Sequence, residues 1–302
     1  MRAAGARGRF ARGTVVPVLT VLAALIALWY FAAVALNAPM ARDAAERAGT
    51  PLAGRALVAA TLTQERPRLP APDQVVAEVW KTTVGMNPTS KRSLVYHSWI
   101  TLSATLTGFA LGTLLGVLLA IGIVRDRTMD ASVMPWVIAS QTIPILAIAP
   151  MIIVVLNSVG VTGLLPKALI SMYLSFFPVV VGMVKGFRSP DPILVDLTRT
   201  WNATAGQTFR SLRWPAAVPF LFASLKVAAA ASLVGAIIGE LPTGAVAGLG
   251  ARMLSGSYYG QTVQIWSALF MAALLASVLI AFIGLLERLV ARAMGARPEG
   301  AR

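Results

Sequence analysis

KGFRSPDPILVDLTRTWNATAGQTFRSLRWPAAVP, residues 185–219, is the longest polar interruption in the second half of an otherwise apolar chain. Its residues alternate with the amphipathic rhythm of a helix-turn-helix. Apolar runs flank it on both sides, residues 163–184 with Pro178 inside and residues 217–239 with Lys226 inside. Each is long enough to cross a hydrocarbon core of about 30 Å. A polar loop of this length between two spans is a solvent-side surface, and such surfaces are where partners dock.

The composition agrees with a membrane chain. Of 302 residues, 57% are hydrophobic and 13% are charged, where a soluble domain carries about 25% charged residues. The formal net charge is +14, but the basic residues lie in loops and tails between apolar runs, as topogenic charge does. No basic stripe with interleaved aromatics and no nucleic-acid-binding motif is present, so nucleic acid is not an expected partner. With no cysteine and the single histidine His97, neither disulfides nor thiolate or histidine metal sites can be built. No GxxxxGK[ST] phosphate loop occurs, no catalytic constellation is evident, and no cofactor is expected.

Working outward from the loop, four further spans are predicted. Residues 14–36 follow a basic start (Arg2, Arg7, Arg9, Arg12) and exceed the 7–15 residues or so of a signal-peptide core, which favours an uncleaved first helix over a cleaved signal. Residues 37–98 are mixed and proline-rich around 65–74, and 72–84 read as an amphipathic helix lying on the membrane surface. Residues 99–124 carry Gly108, Gly112 and Gly116 at a spacing of four, which lines one helix face with glycine for close packing. Residues 135–157 contain Pro144 and Pro150, which break the hydrogen-bond ladder. Gln141, Thr142 and Asn157 there line a pathway or belong to a packing kink. Residues 262–286 form the sixth span, before a basic tail.

Six spans put both termini on one side. Short loops then decide which side. One set of segments holds Arg2, Arg7, Arg9 and Arg12, then Arg125 and Arg127, then Lys185, Arg188, Arg199, Arg210 and Arg213, then Arg288, Arg292, Arg297 and Arg302; the opposite short loops hold only Lys167 and Arg252. The positive-inside rule therefore predicts cytoplasmic termini and a cytoplasmic 185–215 loop. Lys226, a charge inside a span, either snorkels toward that side, the favoured reading, or contacts a solute, and His97 reads as a solvated interface residue. On the outer side, Gly244, Gly248 and Gly250 follow Glu240, and Glu240, Tyr258, Tyr259 and Gln264 are candidates for a gate at the outer mouth.

Within the cytoplasmic loop, Asp196-Leu197-Thr198, three residues, Asn202, nine residues, then Leu212, Arg213, Trp214 and Pro215 resemble the EAA loop of the permease subunits of binding-protein-dependent ABC importers. The spacing from Asn202 to Leu212 and Pro215 is that of the family's Gly-x9-Ile-x-Leu-Pro. Asp196 stands for Glu, Leu197 and Thr198 for two alanines, Asn202 for Gly and Trp214 for Leu. Asp keeps the charge, and Asn tolerates a left-handed turn better than other residues with a Cβ. TIPILAIAPMIIV and the run through SLKVAAAASLVGAIIGE are similar to the central helices of nitrate/sulfonate/taurine-type members, and the resemblance covers about residues 70–290.

The resemblance implies an all-α membrane protein with six transmembrane helices, like a type I ABC importer permease, N-in and C-in. It divides into 1–36 (tail and first helix), a periplasmic 37–98, a core at 99–287 with its EAA-like loop at 186–215, and a tail at 288–302. It also implies a bacterial inner-membrane location, a permease homodimer in the lipid bilayer, a cytoplasmic ABC ATPase subunit and a periplasmic substrate-binding protein. The permease itself would not be an enzyme. By motif position, Asp196, Thr200, Asn202, Phe209, Leu212 and Pro215 would contact the ATPase. The solute implied is small and polar or anionic: nitrate, a sulfonate, or a pyrimidine-like vitamin precursor. A self-sufficient secondary transporter is the alternative, but it needs intramembrane coupling residues and an internal repeat that are not evident. A membrane-anchored scaffold would need a soluble domain longer than any here.

Overall fold

The computed structural model describes residues 4–241 and 246–295, with the side chains of 4–14 left aside. Gly244 and the tail residues Arg297 and Arg302 lie outside the described residues. All regular structure among the described residues is helical: α1 (Ala4–Arg47), α2 (Gly54–Leu62), α3 (Pro72–Thr83), α4 (Leu94–Arg125), α5 (Arg127–Ser140), α6 (Ile145–Ser158), α7 (Leu164–Phe187), α8 (Pro192–Thr200), α9 (Ala205–Thr208), a π-turn (Phe209–Arg213), α10 (Trp214–Glu240), α11 (Leu249–Tyr258) and α12 (Thr262–Ala293). Among the described residues, five segments are long and apolar enough to cross a membrane, and a sixth arises if the bent pair α5 and α6 counts as one span.

The chain divides into two compact units, residues 1–87 with 253–269, and residues 88–252 with 270–302. In the first unit, α1 runs eleven residues past the predicted end at 36. Its extension has a purpose that composition hides. Asn37, wholly buried, donates from its amide to the Leu69 carbonyl (2.8 Å) and accepts from the backbone N–H groups of Arg68 and Leu69 (2.8 and 3.2 Å). Trp29 donates to the Pro70 carbonyl at 3.0 Å, and Thr262 donates to that of Pro67 at 2.5 Å. The proline-rich turn cannot pair its own backbone, so side chains from neighbouring helices pair it instead. α3 occupies the predicted 72–84 helix and exposes Val76, Trp80 and Val84 along one face, four residues apart.

The second unit is built on α4, α7 and α10. The glycine face of α4 meets α7, as its spacing predicts. A Cβ on Gly108 would lie 2.4 Å from that of Ser171, one on Gly112 would lie 2.1 Å from Ser175 Oγ, and one on Gly116 would lie 2.7 Å from the Val179 Cβ. Two rows with a period of four, 108/112/116 and 171/175/179, thus interlock backbone to backbone. Ser171 and Ser232 hydroxyls lie 2.5 Å apart, and Ser232 donates onward to the Thr105 carbonyl at 2.8 Å. The hydroxyls of Ser171, Ser175 and Ser232 in this seam are all paired, as most buried polar groups are.

The third span departs from its expectation. Rather than one helix over 135–157, α5 and α6 are fourteen residues each, bent by 97° across the break at 141–144. Pro144 lacks an N–H and holds the residue before it extended, so the ladder stops there.

Candidate functional site

The loop between α7 and α10 is rigid at each joint. Asp191 caps α8, its carboxylate accepting from the Ile193 N–H at 2.9 Å, and Pro192 occupies the first turn. α8 ends in a left-handed residue. Asn202 has φ +54, and no other described non-glycine residue has positive φ. Its N–H reaches the Arg199 carbonyl at 2.9 Å, and the next N–H, of Ala203, reaches that of Thr198 at 3.0 Å. Those two bonds are a Schellman motif with asparagine in the position glycine usually takes. Thr204 and Gln207 then form a capping box for α9. The π-turn follows, with Phe209 stacked against Phe187 (5.0 Å between centroids) and Trp214 against Phe187 (5.8 Å). Pro215 sits in the first turn of α10, where its missing N–H costs nothing.

No residue of α8 is buried, and Ile193, Leu194, Leu197 and the adjoining Trp201 are all exposed. Asp196, Thr200 and Asn202 share this open surface, with Asp196 paired to Arg199 at 2.8 Å. Phe209, Leu212 and Pro215 are half-buried and support the loop from beneath.

At the opposite ends of α4, α7 and α10, a second arrangement forms around Glu240, which is wholly buried. The Thr101 hydroxyl lies 2.9 and 3.0 Å from its two oxygens, and the Gly250 N–H donates to Oε2 at 2.8 Å. Thr101 also accepts from the Leu249 N–H at 2.8 Å, and His97 Nδ1 accepts from the Gly248 N–H at 3.0 Å. His97 therefore carries its proton on Nε2, which donates to the Lys91 carbonyl at 3.0 Å. Three successive N–H groups at the start of α11 are thus held by one side chain each. Gly248 is required here: its φ is +129, and a Cβ would lie 2.1 Å from the Glu240 carboxyl carbon. Lys167 donates to the Ala247 carbonyl at 3.1 Å and stands 4.0 Å from Glu240 Oε1. This gives His97 a structural role in place of the solvated one expected, and it turns Glu240 inward, into the helix packing.

At the α5/α6 break, Gln141 and Thr142 are exposed, and the carbonyl of Ser140 accepts from the Tyr173 hydroxyl. Asn157 is exposed near the end of α6. Tyr258 and Tyr259 are exposed and Gln264 half-buried, all three in the other compact unit from Glu240. Lys226 does not snorkel alone. It pairs with Glu287 at 2.5 Å, each about one-third exposed. That pairing offsets much of the roughly 2.5–3.5 kcal/mol that a lone charge costs at a helix centre. Glu287 lies one residue past the apolar run of the sixth span, where nothing local marks it as a partner of Lys226.

Residues 112–296 match the family described as binding-protein-dependent transport system inner membrane component. The chain belongs to this family. Over 224 residues the permease is 32% identical to a riboflavin transport system permease protein of Chloroflexus aurantiacus, covering 74% of this chain and 80% of the relative. It is 30% identical to a formylaminopyrimidine transport permease protein of Halalkalibacterium halodurans, with 74% and 84% covered. A nitrate import permease protein of Synechocystis is 24% identical, with 75% and 82% covered. The permease is thus an ABC importer membrane subunit with several membrane helices, a transporter component rather than a catalytic enzyme.

Proposed function

We propose that two copies of this permease form the pathway of an ATP-driven importer in the bacterial inner membrane, and that α8 with the Asn202 turn docks on a cytoplasmic ATPase subunit. The observation that carries this reading is the exposed apolar face of α8, held at a set angle by a left-handed turn. Apolar side chains on a polar loop outside the spans are explained by a protein partner. The excess of basic residues in this loop supports its cytoplasmic side. Asp196, Thr200 and Asn202 would touch the ATPase, while Phe209, Leu212 and Pro215 would carry the load to α7 and α10.

The broken span supports the second copy. Irregular backbone is tolerated at membrane depth only where protein or a water-filled cavity covers it. Gln141 and Thr142 stand exposed at the 97° bend, so a facing copy and a shared wet pathway account for them, with Asn157 further along. Tyr258, Tyr259 and Gln264 remain candidates for an outer gate, with Glu240 anchoring the start of α11 rather than facing the solute. A periplasmic binding protein would deliver the solute. Two of the relatives are named for riboflavin and formylaminopyrimidine, which favours a small polar nitrogen heterocycle over an inorganic anion.

The test is uptake into proteoliposomes. Permease, ATPase and binding protein together should accumulate the solute only with ATP, and ligand screening of the binding protein should select heterocycles. Uptake by the permease alone would overturn the proposal in favour of a secondary transporter.

A further inference from the structure

The loop that carries α8 holds Lys185, Arg188, Arg199, Arg210 and Arg213 against Asp191 and Asp196. Each nearby acid is already engaged inside the protein. Asp191 caps α8, Asp196 pairs with Arg199 at 2.8 Å, and Asp130 at the start of α5 pairs with Arg188 at 2.7 Å. Lys185, Arg210 and Arg213 make no ion pair among the described residues. Lys185 and Arg210 point into solvent, where an unpaired cation is cheap. Arg213 is different. It is half-buried, its backbone is fixed within the π-turn, and it lines a groove of about 300 Å³ together with Phe187, Pro190, Pro192, Val195 and the Asp196–Arg199 pair. A partly desolvated guanidinium presents a rigid fork of donors that matches a carboxylate in a two-toothed grip.

We infer that this groove receives an acidic side chain from the ATPase subunit, with Arg213 as its partner. The inference rests on the docking reading above and gives that interface its charge: the surface of the ATPase facing α8 is acidic beside an apolar patch. Asp196, spent on Arg199, is not the group that attracts the partner. The groove opens on the flank of α8 that carries Pro192, Val195, Asp196 and Arg199, while Ile193, Leu194, Leu197 and Trp201 lie on its other flank, so the partner must wrap around α8 to use both. Both contributions then act together, the apolar contact for affinity and the charge pair for register and encounter rate.

The experiment is a binding titration of the purified ATPase subunit against full-length permease in nanodiscs of phosphatidylcholine, at low and high salt. Wild-type affinity should fall as salt rises. Arg213→Gln should weaken binding about tenfold at low salt and flatten the salt dependence, Arg213→Glu should weaken it further, and Arg213→Lys, which keeps the charge but loses the fork, should fall between wild type and Arg213→Gln while keeping the salt slope. Equal affinity and equal salt slope for wild type and Arg213→Gln would overturn the inference. So would an effect of Arg213→Gln that appears only in nanodiscs containing phosphatidylglycerol, because the groove would then hold a lipid phosphate. If wild-type permease fails to bind the ATPase at either salt, it is the docking reading that falls. A retained salt slope in Arg213→Lys separates lost charge from lost fold.

Discussion

Replacing Asn202 by valine tests whether the left-handed turn transmits force. At φ +54, a residue with a Cβ pays about 1–2 kcal/mol relative to glycine, and asparagine sits at the lenient end of that range. A β-branched side chain is a genuine outlier there. Moving from asparagine to valine should therefore weaken the closed turn by about 1 kcal/mol, a factor of roughly 5 in its population. The two bonds that close the turn, 2.9 Å to Arg199 and 3.0 Å to Thr198, open with it, and α8 loses its fixed angle to α10. The spans are untouched, so the protein should still insert and keep its fold. Solute imported per ATP hydrolysed, measured in proteoliposomes, should drop severalfold for Asn202→Val, whereas Asn202→Gly should match or exceed wild type. Valine with unchanged coupling would refute the reasoning, and so would glycine with coupling lost.

Further outcomes follow from the core and the break. Gly112→Ala places a Cβ 2.1 Å from Ser175 Oγ and should cost about 1–3 kcal/mol by overpacking, read as a lower midpoint of thermal unfolding in detergent; adding Ser175→Gly should restore most of it. Glu240→Ala strands the buried Gly250 N–H, at about 1–3 kcal/mol, while the Thr101 hydroxyl can turn to the His97 carbonyl. Faster hydrogen exchange over residues 247–252 should report it, with Glu240→Gln intermediate. Tyr173→Phe leaves the Ser140 carbonyl without its donor, and a cysteine introduced at Gln141 should then label faster with a membrane-impermeant thiol reagent. Unchanged labelling would mean that Tyr173 does not hold the bend.

The parts legible in the sequence are those with a strict local period or a single-residue constraint. The glycines at 108, 112 and 116 announced a helix face that needs a backbone for a neighbour, and α7 provides one. The left-handed turn at Asn202 was legible through the resemblance, because asparagine stands there in the place of the family's glycine and tolerates that conformation. What escaped was non-local. His97 looks like an interface histidine until α11 folds back over it, 151 residues later. Asn37 looks like the polar end of a span until the proline-rich turn arrives to use its amide. The bend between α5 and α6 was half visible: two prolines indicate that a ladder breaks, but the angle depends on Tyr173 and the helices packed around it. The partner of Lys226 lies 61 residues downstream, beyond the reach of any local pattern.

The seam between α4 and α7 also bears on biosynthesis. Gly108 and Ser175 are 67 residues apart, so α4 leaves the ribosome well before the helix it packs against. At about 5–20 residues per second the wait is roughly 3–13 s. In that interval α4 must sit in lipid with a glycine face and several threonines unshielded. Its hydroxyls are prepared for this. Thr101 donates to the His97 carbonyl at 3.2 Å, Thr105 to that of Thr101 at 2.8 Å, and Thr107 to that of Ser103 at 2.8 Å, all within the same helix. A nascent α4 can therefore wait in the bilayer with these three hydroxyls paired internally, before α7 and α10 dock against it.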